Sequence, residues 1–167
     1  MQYSLWIMST HAPLSSPGVR FPPPLLFVGA LLAGWLLDRR VLPLHLAQSG
    51  RSVVAIVSVV MVVVGLALMG WGFFAFRRAR TAILPFHSAS SLVTTGPYRL
   101  TRNPMYTGLT IAYLGGALLI DSAWPLILLP AVLIVLFNTV IAREERYLTD
   151  AFGSEYAAYC ARVRRWL

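Results

Sequence analysis

Apolar positions in this chain fall in long unbroken runs rather than in alternation with polar ones. Four runs stand out. The first, around Phe21–Leu37, opens on Pro22, Pro23 and Pro24, and the second, Val53–Phe76, contains no charged residue. The third, Pro104–Ile120, and the fourth, Trp124–Ala142, are split only by Asp121, Ser122 and Ala123. A helix crosses the hydrocarbon core of a bilayer, ~30 Å thick, with about 20 apolar residues. In lipid the backbone must satisfy its own hydrogen bonds, and continuous runs of this kind do so as helices, not as barrel strands. The pattern therefore predicts an all-α fold: a polytopic integral membrane bundle of about four transmembrane helices, the last two forming a tight hairpin. The stretch Val41–Ala47 is open between a partial membrane helix and a loop.

The pattern changes after the fourth run. In "REERYLTDAFGSEYAAYCARVRRWL", Tyr147, Leu148, Ala151 and Phe152 recur at helical spacing. Gly153 is the expected stop, and Ser154 can cap a new helix. Tyr156, Tyr159, Val163 and Trp166 then share one face with arginines nearby. This predicts a C-terminal amphipathic helix that lies on the membrane surface or folds over the bundle. Residues 1–20 lack the basic start and clean apolar stretch of a signal peptide. They read as an irregular leader to one domain over residues 21–167.

Composition sharpens the membrane reading. The chain is 57% hydrophobic and 12% charged, against about 25% charged in soluble proteins. Its formal charge is +8, and every cation is an arginine. A basic balance can mean nucleic acid or an anionic membrane surface. Here the arginines flank the apolar runs, so no nucleic-acid partner is expected. Arg77, Arg78, Arg80, Arg99 and Arg102 lie between runs two and three, and Arg143, Arg146, Arg162, Arg164 and Arg165 follow run four. The positive-inside rule puts both groups, and the segment 143–167, on the cytoplasmic side. Arg39, Arg40 and Arg51 run against that assignment. Cys160 is the single cysteine, so no internal disulfide can form; it reads as a packing residue. His11, His45 and His87 show no metal-ligand spacing, so no metal centre is expected, and no Gly-rich dinucleotide fingerprint is present.

Two clusters can carry chemistry. In "GPYRLTRNPMYTG", Asn103 is a natural N-cap and Pro104 a natural first helical residue. Tyr98, Arg99, Arg102 and Tyr106 surround that helix start, where unpaired N–H groups and the dipole attract anions. Interfacial arginines and tyrosines are equally ordinary membrane anchors. The second cluster is Glu144 and Glu145, acids at the end of run four that either form a site or pair with Arg143 and Arg146. Gly65, Gly70, Gly72, Gly108, Gly115 and Gly116 favour close helix packing over making room for an adenosine. The hairpin brings the two clusters together. Such a site offers a cation for a carboxylate, acids for an ammonium and ring faces for a further cation. A zwitterionic amino acid carrying a sulfonium, as in S-adenosylmethionine, would engage all three.

"LVTTGPYRLTRNPMYTG" followed by "AREERYLTDAFGSEYAAYCARVRRW" resembles the membrane methyltransferases that include isoprenylcysteine carboxyl methyltransferase and phosphatidylethanolamine N-methyltransferase. The resemblance runs from Ala79 to the C-terminus. It implies a cofactor site for S-adenosylmethionine at Arg102, Asn103, Pro104, Tyr106, Gly108, Glu144 and Glu145, with Arg102, Glu144 and Glu145 as the catalytic constellation. Arg99, Arg162 and Arg165 would steer the substrate's negative group. Prenylcysteine enzymes usually read Arg-His-Pro where this chain has Arg102, Asn103 and Pro104, a form closer to the phospholipid enzymes. The implied substrate is therefore amphipathic or lipid-like, either a prenylcysteine-type carboxylate or a phospholipid amine. Two other readings stand beside it: an NADPH-dependent membrane reductase of the sterol-reductase kind, and a non-enzymatic membrane module.

Overall fold

A computed structural model of the chain describes residues 21–46, 51–79 and 91–166. The leader over 1–20, His87 and Arg80 lie outside these residues. The described residues contain helices and no strands: α1 (Pro23–Arg40), α2 (Arg51–Arg78), a 3-10 turn (Gly96–Arg99), α3 (Pro104–Leu119), α4 (Trp124–Leu136), a π-helical turn (Phe137–Ile141) and α5 (Ala142–Arg162). Two helical stretches are long and apolar enough to cross a membrane, Ser52–Arg78 and the continuous Trp124–Arg162. At 1.5 Å per residue the former is about 40 Å long. Its outer face exposes Val53, Ile56, Val60, Val63 and Phe74, an apolar surface too extensive for a water-facing helix. Val41–Leu46 is not helical.

Small residues set the helix contacts. Ser58, Gly65 and Gly72 recur every seven residues on α2 and meet α3 running the other way. A Cβ on Gly65 would lie 2.5 Å from the Gly108 carbonyl oxygen, and one on Gly115 would lie 2.7 Å from that of Ser58. Close backbone approach of this kind replaces the hydrophobic drive that lipid cannot supply. On the other side of α3, Phe27 of α1 meets Tyr113 edge-on at 5.8 Å, and Tyr113 donates to the Pro125 carbonyl at 2.8 Å. Phe27, Tyr113, Val132, Leu136, Val140 and Ile141 form the core.

The two ends of the bundle differ. At one end the tail of α1 is tied to the α3–α4 turn. Asp38 accepts from the Leu44 amide at 2.9 Å and from the Ser122 hydroxyl at 3.0 Å, and Trp124 Nε1 donates to the Leu42 carbonyl. Asp121 holds the turn at φ 52°, a left-handed conformation that its short polar side chain tolerates. At the opposite end the exit of α2, the 3-10 turn, the start of α3 and the C-terminal segment converge, and there both sequence clusters lie.

The fourth helix does not stop where its apolar run does. It passes through the π-helical turn into α5, and its one break is Gly153, at φ 49° and ψ −119°. The expected stop thus falls at the expected residue. Beyond it the chain folds over the bundle instead of lying apart on the surface: Tyr156 and Tyr159 are buried, and Tyr159 donates to the Tyr98 carbonyl at 2.7 Å.

Candidate functional site

Each acid of the pair faces a different partner. Glu144 accepts a 2.7 Å hydrogen bond from the Tyr106 hydroxyl, from the first turn of α3. Glu145 takes both arms of the Arg165 guanidinium, each at 2.8 Å, a fork geometry that lysine cannot copy. Arg102 stands 3.4 Å from the same carboxylate. Its NH1 donates to Cys160 Sγ at 2.9 Å, and its buried Nε has no hydrogen-bond partner among the described residues. Orphaned buried donors are rare and costly, so Arg102 keeps unused hydrogen-bonding capacity.

The π-helical turn explains why the acids point inward. One extra residue per turn rotates everything after it by roughly 100° relative to a regular α-helix. The five residues Phe137–Ile141 thus set the register of Glu144 and Glu145 against Tyr106 and the C-terminal segment. Across from them, the start of α3 is held by the tail backbone. The Arg102 amide donates to the Arg164 carbonyl at 2.9 Å. Thr101 Oγ1 and Asn103 Nδ2 donate to that of Arg165, at 2.8 and 3.3 Å.

Aromatic rings line the rest. Tyr98, on the 3-10 turn, is buried and packs edge-on against Phe76 at 5.3 Å; burial pushes its phenol well above the ordinary value. Tyr156 sits beside Arg102 and Cys160. The Arg165 guanidinium lies 5.2 Å above the Phe137 ring, and its hydrogen bonds to Glu145 raise it further above the usual arginine value. On the outer side of the 3-10 turn, Trp71, Phe74, Ala75, Arg78, Thr95 and Gly96 line a half-open groove of about 430 Å³, within the size range of small-molecule sites.

Arg102, Tyr106, Glu144 and Glu145 are therefore brought together as the hairpin implied. Other expectations change. Asn103 occupies the N-cap position, but its side chain makes no capping bond and reaches for the tail. Pro104 is fully buried at the first helical position. Gly108 faces Gly65 and Met69 on α2, the close helix packing that its sequence context favours. Arg165 is engaged by Glu145 rather than extended toward a substrate, while Arg99 and Arg162 are exposed. Cys160 is a hydrogen-bond acceptor for Arg102 and not simple packing. Thr101, Cys160 and Phe137 were missed as site neighbours: a lone hydroxyl, thiol or ring in an apolar chain carries no spacing signal.

The family model for phospholipid methyltransferases matches residues 53–155. The chain is 30% identical over 116 residues to a probable protein-S-isoprenylcysteine O-methyltransferase of Oryza sativa subsp. indica, covering 68% of this chain and 61% of that protein. It is 35% identical over 72 residues to protein-S-isoprenylcysteine O-methyltransferase B of Arabidopsis thaliana, or 43% and 36% of the two chains. It is also 34% identical over 74 residues to cobalt-zinc-cadmium resistance protein CzcN of Cupriavidus metallidurans, or 44% and 34%. The chain thus spans about three fifths of the length of its rice relative. No solved structure matches it. The matched residues run from the start of α2 past Glu145, and they include Arg102, Tyr106 and both acids while ending before Cys160 and Arg165. The chain belongs to the phospholipid methyltransferase family.

Proposed function

We propose that this chain is an integral membrane methyltransferase that takes its methyl group from S-adenosylmethionine and gives it to an amphipathic or lipid-like acceptor. One observation carries the reading: an arginine with an orphaned buried donor, Arg102, lies within 3.4 Å of one of two adjacent acids, under a set of phenol rings. The residues fit the cofactor. Unused guanidinium donors suit its carboxylate, Glu144 or Glu145 suits its ammonium, and ring faces suit a cationic centre. When bound, S-adenosylmethionine supplies a methyl group on a sulfonium, electrophilic without further activation.

The chain's own residues then bind, orient and exclude water. Arg102 holds the carboxylate. Tyr106 fixes Glu144 by its hydroxyl while its ring packs against the core. The tail backbone fixes the first turn of α3, and Tyr98, Tyr156 and Tyr159 seal that end against solvent. The groove between Trp71, Phe74 and Arg78 has the character an amphipathic acceptor needs, apolar walls with one cation at the rim. Arg99 and Arg162 steer the acceptor's negative group. A carboxylate acceptor reacts as it arrives, whereas an amine must first lose a proton; the names of the rice and Arabidopsis relatives favour the carboxylate.

The test is calorimetric titration of the detergent-purified chain with S-adenosylhomocysteine, with NADPH in parallel. Saturable binding of the first alone is expected. Binding of NADPH alone would move the protein to the reductases. Binding of neither, in protein with an intact melting transition, would leave a non-enzymatic membrane module.

A further inference from the structure

Two guanidinium groups compete for one carboxylate at this site. Arg165 takes both oxygens of Glu145 at 2.8 Å, the strong charge-assisted geometry. Arg102 is left with a single 3.4 Å approach, longer than a good N–H···O bond. It points NH1 at a weak sulfur acceptor and leaves Nε orphaned. Besides the Tyr156 hydroxyl and the Cys160 sulfur, the carboxylate that Arg102 approaches is Glu145 itself. Without Arg165, a small rotation would close the gap, and the guanidinium would be consumed in an internal ion pair.

Building on the cofactor reading above, we infer that Arg165 is a positioning residue: by saturating Glu145 it keeps Arg102 open for the ligand's carboxylate. The same step separates the two acids. Glu145 is the anchor for the arginines, and Glu144, held by Tyr106, is the acceptor for the ligand's ammonium.

The tail is built for this task. The Arg165 carbonyl accepts from Thr101 and Asn103, and the Arg164 carbonyl accepts from the Arg102 amide. The Arg165 side chain is stacked on Phe137, while Trp166 packs against the core. The backbone bonds fix the distance between Arg165 and the start of α3, and the ring fixes the direction of the fork. Exposed Arg162, by contrast, donates to its own helix at the Ala158 carbonyl.

The experiment uses the full chain in detergent, with melting transitions to verify folding and S-adenosylhomocysteine as the calorimetric titrant. Arg165→Gln is expected to weaken binding at least tenfold. Adding Glu145→Gln removes the carboxylate onto which Arg102 would collapse. The double variant should then bind within about threefold of Glu145→Gln alone and more tightly than Arg165→Gln; a contact that only tethers the tail would leave both Glu145→Gln and the double variant as weak as Arg165→Gln. Arg165→Lys keeps the charge without the fork and should fall between Arg165→Gln and the parent, which covers the case in which Arg165→Gln does not fold. Parent-like binding by Arg165→Gln, or a double variant no better than Arg165→Gln, overturns the inference and leaves the cofactor reading standing. Absence of binding by the parent chain overturns both.

Discussion

Gly65 and Gly108 show how little room α2 and α3 leave each other. A Cβ on either would sit 2.5 Å from the opposite carbonyl oxygen, and an atom of the backbone cannot swing aside. Gly108→Ala must push the helices apart, at a cost of about 1–3 kcal/mol, and should lower the melting temperature of the full chain in detergent. Gly70→Ala is the control: its Cβ meets nothing within 4 Å, and alanine is the better helix former, so the melting temperature should hold or rise slightly. Tyr106→Phe tests chemistry instead of packing. It deletes the 2.7 Å donor to Glu144; a typical hydrogen bond contributes about 0.5–1.5 kcal/mol. Affinity for S-adenosylhomocysteine should drop roughly two- to tenfold, with the melting temperature nearly unchanged, and an unchanged affinity would remove Tyr106 from the site. At this scale the sequence is readable where charge is scarce. Arg102, Glu144 and Glu145 stand out because they interrupt an apolar chain, whereas the bond from Arg102 to Cys160 joins residues 58 positions apart and leaves no local mark.

Among the elements, the π-helical turn has the largest consequence for the site. Its residues Phe137, Asn138, Thr139, Val140 and Ile141 read as ordinary continuation of an apolar helix, so nothing in the sequence announces the change of register. Deleting exposed Asn138 should convert the turn to regular α-helix and rotate Glu144 and Glu145 by about 100°. Binding of S-adenosylhomocysteine should be lost while far-UV circular dichroism keeps its helical intensity; retained affinity would show that the turn does not orient the acids. The helices themselves were legible, since runs of apolar residues end where arginines or an aspartate begin. Their ends were less so: α2 runs from Arg51 to Arg78, past the charge-free stretch, because long arginine side chains can reach the interface from within the last turn. The Gly153 break was legible because only a residue without Cβ adopts its φ and ψ readily. The strap that the tail forms over α3 was not, since backbone carbonyls as acceptors have no side-chain signature.

For the whole molecule, the question is which helices cross and which way. α3 has only 16 residues, yet it lies along α2 from Gly72, which touches Met105, to Ser58, which touches Gly115. If α2 spans the bilayer, α3 must return through it, and α4 must cross again from the Asp121 turn. On the four-helix arrangement expected from the sequence, α1, whose Gly34 meets Pro125, would be the remaining crossing, at 18 residues. Four crossings would put the site end wholly on one side and the Asp121 turn on the other. Arg77, Arg78, Arg99, Arg143 and Arg146 mark the site end, against Arg39, Arg40 and Arg51 at the far end; the positive-inside rule then predicts a cytoplasmic site end. In a Cys160→Ser background, a cysteine replacing exposed His45 should react with a membrane-impermeant maleimide in intact cells. One replacing exposed Asp150 should react only after the membrane is opened. Labelling of Asp150→Cys alone in intact cells would invert the topology, and labelling of both would mean that α4 does not cross. The expected result also fits the proposed chemistry: a soluble zwitterionic cofactor would reach the site from the cytoplasm, while an amphipathic acceptor would keep its apolar part in the bilayer beside Trp71 and Phe74.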